Sequence, residues 1–364
     1  MHDQQIPLDA WTQKEVRGAL YMIVRNENLP DARATIRVIQ DRFNDKAKYP
    51  WVLLNNQYFN ADFKRHVSSI TTPKNVSVYF GKIDTDAWAY PSWVDVPRAE
   101  NALWDLFGVA RGESLSHHQL LRYQAGLFFY HPLFDNVEYT WRVEPGAMYT
   151  CELDFDPFKM MKAGKKKLES FMQQHPEWIK PRNQTIMPWI THRNKENTKD
   201  EYNFCHMWSN FEIADLSFYR SEAYRYYFDH LDSTGGFFYE KWGDPVRTLA
   251  AAMFLDRNEV YFFDQIGYTK DGISHCPLQS GYLQKCTCDS ADSHDMLENS
   301  CTLDLLRYSD PPTFDALMNY ARTKLPPQLS LDLNNTDILK QVIKKKDQLE
   351  AFIKDQERRH LAVE

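Results

Sequence analysis

Three pairs of acidic residues and the single acid Glu144 could bind a divalent cation. Pairs of acids separated by a single residue stand at three places: Asp84 and Asp86, Glu152 and Asp154, and Asp154 and Asp156. Such pairs at strand ends hold the cation that neutralises a bound diphosphate, although 50 acidic residues make chance pairs common. Glu144 is better placed, because it follows the run Tyr-Thr-Trp-Arg-Val and precedes Pro145, which ends a strand. The pattern favours Glu144 as a metal ligand, and an ordinary strand-end acid is the alternative.

A second group of acids could act on a sugar. Glu212 stands between Phe211 and Ile213, so its carboxylate is expected to be partly buried, where a cation, if one is present, would compensate its charge. A carboxylate below a sugar ring can stabilise positive charge on carbon 1 or attack that atom. Asp244 follows Trp242 and Gly243 and is presented at a turn. These acids suit glycosyl transfer, and the carboxylate pair alone would also suit a glycosidase.

The cysteines indicate an oxidising compartment. The sequence has six of them: Cys151, Cys205, Cys276, Cys286, Cys288 and Cys301. An even count with a cluster near the carboxyl end favours disulfides, although the pattern does not assign their pairing. Cys286 and Cys288, with His275 and Cys276 upstream, could instead bind zinc, but their spacing is not that of a usual zinc motif.

Composition excludes some classes of protein. The net charge of −7 gives no general attraction to nucleic acids. Aromatic residues make up 14% of the chain, which predicts an aromatic core and, as the alternative, surfaces that stack on sugars. No stretch reaches the roughly 18 apolar residues of a membrane helix, and the amino terminus does not resemble a signal peptide. The sequence thus reads as a soluble chain, and a domain released from a membrane anchor would look the same.

Alternating apolar runs and helical spacing predict an α/β sheet. We expect strands at 17–26, 51–54, 76–80, 139–143 and 260–263, and helices at 31–43, 126–133 and 245–254. Ligands of such sheets bind beyond the carboxyl ends of the strands. The segment 159–201 is polar and basic, and 336–361 has the spacing of an amphipathic helix that packs on the domain or pairs with another chain.

Four long motifs stand in the middle of the chain. They are Trp141-Arg-Val-Glu-Pro145, Cys205-His-Met-Trp-Ser-Asn-Phe-Glu-Ile-Ala-Asp215, Tyr219-Arg-Ser-Glu-Ala-Tyr224 and Gly235-Gly-Phe-Phe-Tyr-Glu-Lys-Trp-Gly-Asp244. These motifs resemble the fungal glycolipid/glycoprotein 2-α-mannosyltransferase family, and shorter matches extend the resemblance over about residues 17–301. The resemblance implies a single large GT-A-like domain with a mixed central sheet flanked by helices, in a type II membrane protein of the Golgi.

The resemblance also implies an activity and a set of site residues. It implies retaining transfer of mannose from GDP-mannose with Mn²⁺ as the cofactor. Glu144 would bind the metal, Glu212 would be the candidate nucleophile, and Asp244 would belong to the active site. The remaining implied contacts are Arg25 and Asn26 near the guanine nucleotide, and Arg122, Arg142 and His206 with phosphate or sugar.

The chain departs from the family pattern at three places. Lys270 stands where the family often has a metal-binding histidine. Its ammonium cannot ligate Mn²⁺ but could place positive charge near the pyrophosphate. His275 is either a substitute ligand or, as the favoured alternative, an ordinary surface histidine. His117, followed by His118, stands in place of an active-site tyrosine, and we keep His117 as a candidate catalytic residue. The segment 165–177 is shorter than the family pattern, so part of a sheet could be missing.

The leading hypothesis is an active α-1,2-mannosyltransferase that acts on a mannoside of N-glycans, O-glycans or cell-wall mannan. We predict an amino-terminal extension at 1–16, the catalytic domain at 17–306, and a carboxyl-terminal extension at 307–364 whose helix could mediate self-association. A relative that transfers mannosyl phosphate and a non-catalytic paralogue that binds glycan or nucleotide are the alternatives. The presence of both Glu144 and Glu212 favours activity, since part-buried acids are costly to keep.

Overall fold

The computed structural model describes residues 5–163, 180–193, 200–207, 210–289, 293–297 and 300–324. The chain divides into two compact units: the first is 1–148, 154–190 and 206–259, and the second is 149–153, 191–205 and 260–364. The predicted amphipathic helix at 336–361 and the segment 165–177 lie outside the described residues. No helix in the described ranges is both long and apolar enough to cross a membrane.

The described strands are, in chain order, β1 Gly18–Ile23, β2 Trp51–Asn55, β3 Val78–Lys82, β4 Tyr139–Val143, β5 Met148–Tyr149, β6 Thr191–Arg193, β7 Asp200–Tyr202, β8 Phe211–Asp215, β9 Tyr268–Lys270 and β10 Ile273–His275. The first unit contains a five-stranded sheet in the order β3-β2-β1-β4-β8. Its first four strands are parallel, and β8 pairs antiparallel with β4. A mixed sheet was predicted, and this one places the carboxyl end of β4 beside the start of β8.

The described helices are α1 Leu29–Ile39, α2 Asp45–Ala47, α3 Ala61–Thr71, α4 Thr85–Trp88, α5 Val96–Asp105, α6 Leu115–Gly126, α7 Pro157–Ala163, α8 Met187–Ile190, α9 Leu216–Tyr219, α10 Glu222–Ser233, α11 Gly236–Tyr239, α12 Asp244–Phe254, α13 Ser280–Leu283, α14 Thr302–Ser309 and α15 Pro311–Lys324. Side-chain caps fix several of the starts. Asn60 accepts from the backbone of α3, Asp215 from that of α9 and Ser221 from that of α10.

Aromatic side chains fill the core of the first unit, as the composition predicted. The largest fully buried side chains are Trp51, Trp141, Tyr21, Tyr49, Tyr139, Tyr224, Phe63, Phe128, Phe129, Phe134, Phe158 and Phe237. Trp141 of β4 packs edge-on against Phe158 on α7 and against Phe211 of β8. This packing fixes β8, which carries Glu212, and β4, which ends just before Glu144.

Two predicted elements are wrong. The predicted helix at 126–133 is the end of α6 followed by short 3₁₀ turns, because Pro132 disfavours helical geometry at His131, whose ψ is 133°. The predicted strand at 260–263 has no strand pairing, although Val260 and Phe263 are buried. A four-residue apolar run can therefore be buried without joining a sheet.

The second unit is held together by disulfides and a small sheet. The three disulfides are Cys151–Cys286, Cys205–Cys301 and Cys276–Cys288. They use all six cysteines, so the disulfide prediction is confirmed and the zinc alternative is wrong. The sheet has the order β10-β9-β5, and β6 and β7 form a separate antiparallel pair.

Candidate active site

Glu144 is held by the arginine two residues before it. Arg142 lies at the end of β4, is buried, and donates from Nε and Nη2 to Glu144 Oε1 at 2.9 and 2.6 Å. Gln124 of α6 reaches the same oxygen at 3.5 Å. Among the described residues no donor reaches Oε2 of Glu144. Arg142 and Gln124 thus hold Glu144 through one of its carboxylate oxygens.

Glu212 lies on the strand beside Arg142. The register of β4 with β8 places Glu212 directly opposite Arg142, so both side chains project from the same face of the sheet. Tyr219 donates to Glu212 Oε1 at 2.6 Å, and Arg247 Nη1 lies 3.3 Å from the same atom. The Glu212 side chain is 23% exposed, whereas that of Arg247 is 6% exposed. Arg247 is therefore the cation that compensates the charge of the partly buried Glu212.

The partners of Glu212 keep their protons. Burial and, after it, the Glu212 carboxylate raise the pKa of Tyr219 well above its ordinary value, so the phenol donates the hydrogen bond. Burial lowers the pKa of Arg247, but Glu212 and the neighbouring phenols raise it by more, and the net direction is upward. Glu212 therefore sits between a neutral donor and a permanent positive charge.

Tyr21 continues the row of side chains across the sheet. It lies in β1 beside Arg142 in the parallel register and is fully buried, with its ring stacked on Phe128. Burial is the main cause that raises the pKa of Tyr21. The charges of Arg142 and Arg247 lower this pKa and the Glu212 carboxylate raises it, and the net direction is upward. Three strands thus place Tyr21, Arg142 and Glu212 side by side on one face.

The elements that follow β8 bring the partners to Glu212. Asp215 ends β8 and caps α9, whose last residue is Tyr219. Arg247 lies in the first turn of α12, which starts at Asp244 with a proline in the second position, a favoured start for a helix. The backbone of Asp244 is described, and its side chain lies outside the described part, so its place in the site stays a prediction.

The two residues predicted near the nucleotide follow β1, and neither role is tested by the geometry. Arg25 donates to Ser116 Oγ on α6 at 2.7 Å and is half-exposed. Asn26 binds the neighbouring loop with both ends of its amide: it donates to the Tyr58 carbonyl at 3.0 Å and accepts from the Asn60 amide at 3.1 Å. Arg25 stands at the carboxyl end of a parallel strand, where ligands of such sheets bind.

Arg122 is engaged within the fold. Its Nε and Nη2 donate to the two carboxylate oxygens of Asp232 on α10 at 2.6 and 2.8 Å, and both side chains are buried. This geometry favours a structural ion pair, and the predicted contact of Arg122 with phosphate or sugar gains no support from it. His117 lies in the first turn of α6 and is partly buried, whereas His118 is buried and bonded to the Phe237 and Gly112 carbonyls.

The remaining predicted residues are not brought to Glu212 by the described contacts. His206 is exposed. Lys270 belongs to the second unit, in β9, where Nζ donates to Asp271 at 2.9 Å. His275, the substitute metal ligand, is bonded to Asp295 at 2.7 Å and is not a surface residue. The roles predicted for His206 and Lys270 stay predictions.

A preformed cage of metal ligands is not found among the described side chains. The single group of three with suitable spacing is Cys151, Cys286 and Cys288, and each of these is in a disulfide. The described side chains therefore offer no preassembled set of metal ligands around Glu144.

Sequence reasoning missed the two residues that hold Glu212. Tyr219 begins the motif Tyr219-Arg-Ser-Glu-Ala-Tyr224, but the motif assigns it no role, and Arg247 lies in none of the four motifs. The available signal for Arg247 was an arginine within the apolar helix Pro-Val-Arg-Thr-Leu-Ala-Ala-Ala, since a cation there needs a buried acid as its partner.

Comparison with known proteins decides the family. The family described as "Glycolipid 2-alpha-mannosyltransferase" matches residues 2–169 and 165–310. The chain belongs to this family. Glycolipid 2-alpha-mannosyltransferase 2 of Candida albicans is 36% identical, over 79% of this chain and 66% of that relative. O-glycoside alpha-1,2-mannosyltransferase omh1 of Schizosaccharomyces pombe is 37% identical, over 79% of this chain and 77% of that relative.

Solved structures confirm the fold expected of the family. Core-mannan synthase A of Aspergillus fumigatus, in its Mn/GDP form, has a TM-score of 0.69 at 29% identity, over 81% of this chain and 86% of that one. The mannosyltransferase Ktr4p of Saccharomyces cerevisiae, in complex with GDP, has a TM-score of 0.72 at 29% identity, over 81% and 82%. The predicted family, the GT-A-like fold and the mannosyltransferase class are confirmed.

Proposed function

We propose that this chain is a retaining α-1,2-mannosyltransferase that transfers mannose from GDP-mannose to a mannoside of N-glycans, O-glycans or cell-wall mannan. The observation that carries the proposal is the pair of separately held carboxylates at the β4–β8 edge. Glu144 is fixed by Arg142, and Glu212 by Tyr219 and Arg247. The names of the relatives support the donor, the sugar and the linkage.

A Mn²⁺ ion fits Glu144. A carboxylate is a suitable oxygen ligand for Mn²⁺, and Oε2 has no donor from the described residues. Cations that bind nucleotide diphosphates commonly use one or two carboxylates, with phosphate oxygens and water as further ligands. When bound, the ion neutralises charge on the departing diphosphate. Arg142 keeps the carboxylate of Glu144 in one orientation and balances its charge.

Glu212 acts on the sugar. As the bond between carbon 1 of mannose and the phosphate oxygen breaks, its electron pair leaves with GDP, and positive charge develops on the ring. The Glu212 carboxylate stabilises that charge, or bonds to carbon 1 in a two-step path. The acceptor hydroxyl then bonds to carbon 1 from the face that GDP occupied and gives its proton to the phosphate oxygen of the departing GDP. In the two-step path this attack also breaks the bond between carbon 1 and Glu212, which leaves as the carboxylate. Tyr219 and Arg247 hold the carboxylate at this position throughout.

The cellular location is inferred from the family and from the disulfides. We propose a place in the Golgi lumen as the catalytic part of a type II membrane protein. The three disulfides fit an oxidising compartment. The proposed acceptor is a mannoside glycan, and self-association through the carboxyl-terminal segment stays a separate prediction.

The test is direct assay of the purified chain. It is incubated with GDP-mannose, α-methyl mannoside and Mn²⁺, GDP release is measured, and the product is analysed by NMR and by a mannosidase specific for α-1,2 linkages. We expect a disaccharide with α-configuration that the mannosidase cleaves. Mannosyl phosphate on the acceptor would contradict the reaction type, and GDP binding without turnover would identify a non-catalytic paralogue.

A further inference from the structure

We propose that Tyr219 and Arg247 are positioning residues for Glu212, which bind Oε1 and so reserve Oε2 for the reacting carbon of the sugar. The proposal rests on the function proposed above, because it assigns the orientation of the acid that acts on the sugar. It adds two residues to the site and a separate task for each oxygen of Glu212.

The hydrogen bonds are the first support. Tyr219 Oη lies 2.6 Å and Arg247 Nη1 lies 3.3 Å from Glu212 Oε1, so both donors converge on one atom. Among the described residues no donor reaches Oε2. A carboxylate that only stabilised the fold would gain by bonding through both oxygens, since each unmade bond of a part-buried acid is costly. The unequal use of the two oxygens points to a ligand at Oε2.

The rigidity of the donors is the second support. The Tyr219 ring stacks on Phe129 at 5.6 Å between centroids and meets Phe128 and Tyr224 edge-on. This packing fixes the direction in which the phenol points. The turn that carries Arg247 is bound to α10 through Tyr227, whose hydroxyl donates to the Val246 carbonyl at 3.0 Å. A site group needs this kind of support to hold its geometry.

The charges around Glu212 are the third support. Arg247 is buried, and Glu212 is its one carboxylate partner among the described residues. Arg142 of β4 lies opposite Glu212 but bonds to Glu144. The phenols of Tyr21 on β1 and Tyr224 on α10 face the same cluster, and Tyr224 itself donates to the Ala125 carbonyl. The positive charge that compensates Glu212 therefore comes from Arg247.

Substitutions that change one donor at a time test the proposal. We expect Tyr219→Phe to lower kcat about tenfold and Arg247→Gln to lower it on the order of 100-fold, with KM for GDP-mannose within about twofold of the wild type. Arg247→Lys should recover part of the loss because it restores the charge. Tyr224→Phe is the matched control: it also removes a buried phenol hydroxyl near this cluster, but that hydroxyl bonds to a carbonyl and not to Glu212.

A second measurement needs no turnover and separates this proposal from the proposed function. Carbodiimide labelling of Glu212, followed by mass analysis of its peptide, reports how well the carboxylate is held. We expect labelling several-fold faster in Tyr219→Phe than in Tyr224→Phe or the wild type. Equal labelling in all three proteins overturns the positioning role, whether or not the wild type transfers mannose. A wild type without transfer but with the expected labelling difference refutes the function and leaves the positioning role supported.

Discussion

Arg142 and Glu212 lie directly opposite each other across β4 and β8, yet the guanidinium of Arg142 bonds to Glu144. Glu212 takes its positive charge from Arg247, on a helix more than thirty residues later in the chain. Each of the two acids therefore has its own arginine. Two negative charges close together would otherwise raise each other's energy, and this arrangement lets both lie at one edge of the sheet.

Removal of the proposed metal ligand should weaken Mn²⁺ binding. For Glu144→Gln we expect the Mn²⁺ concentration at half-maximal rate to rise on the order of 10–100-fold, because the amide is a poorer ligand for a hard cation. Calorimetric titration of Mn²⁺ with GDP present checks the same effect without turnover. Glu138→Gln is the control, since Glu138 is an acid bonded to Arg17 away from this edge. Unchanged Mn²⁺ affinity in Glu144→Gln would remove Glu144 from the metal site.

Arg122 should prove structural. Its substitution by methionine leaves the buried Asp232 without its cation, which costs about 3–5 kcal/mol of unfolding free energy. We expect KM for GDP-mannose to stay unchanged in the fraction that folds. Urea unfolding measures the first effect and steady-state kinetics the second. Arg25→Met, which changes a half-exposed arginine, should have little effect on stability. A raised KM with normal stability in Arg122→Met would support the phosphate contact instead.

The sequence was informative where local patterns carry the information. Strands β1, β2 and β4 and helix α12 were predicted close to their observed bounds, because continuous apolar runs and helical spacing are local signals. The position of Glu144 directly after a strand was also predicted correctly, and its role as a metal ligand stays a prediction. The missed break before Pro132 was also local, and the signal was the proline itself.

The partners of Glu212 could not be predicted from the sequence. Tyr219 is seven residues from Glu212, and Arg247 is 35 residues away. Their contacts depend on how α9 and α12 pack against β8, and no short-range pattern specifies that packing. The same holds for the disulfide pairing, because six cysteines allow 15 arrangements.

The disulfides should differ in their contribution to stability according to the loop that each closes. Cys151–Cys286 spans 135 residues and Cys276–Cys288 spans 12. The chain-entropy relation predicts that removal costs about 5 kcal/mol for the first and about 3 kcal/mol for the second. Paired Cys→Ser variants and urea unfolding measure both values. A larger cost for the short loop would show that strain or residual structure outweighs loop entropy.

The stability of the second unit should depend on pH through His275 and Asp295. Burial lowers the pKa of His275, but Asp295 and Asp264 together raise it by more, so the net direction is upward from 6.5. Burial raises the pKa of Asp295, but His275 and the hydroxyls of Ser293 and Thr302 together lower it by more, so the net direction is downward from 3.8. The contribution of His275 to the free energy of unfolding is complete below pH 6.5 and is lost as the pH rises through the raised pKa of the folded state. The contribution of Asp295 to the free energy of unfolding is complete above pH 3.8 and is lost as the pH falls through the lowered pKa of the folded state.

Melting curves across pH check this expectation. We expect Tm to be highest in mildly acidic buffer and to fall by about 2–4 °C for each kcal/mol lost as the pH rises above neutral. His275→Gln should remove the decline on the alkaline side, and His230→Gln, which changes a histidine outside this pair, should keep it. A His275→Gln protein with the wild-type profile would show that another group titrates.

The role of Glu212 is tested most directly by the rate of mannose transfer by Glu212→Gln. The substitution keeps the size of the side chain and removes the charge that stabilises the developing cation. We expect kcat to fall on the order of 100-fold or more, while GDP affinity measured by calorimetry stays within about twofold of the wild type. Transfer at the wild-type rate, in a protein with normal GDP binding, would contradict the central role of Glu212.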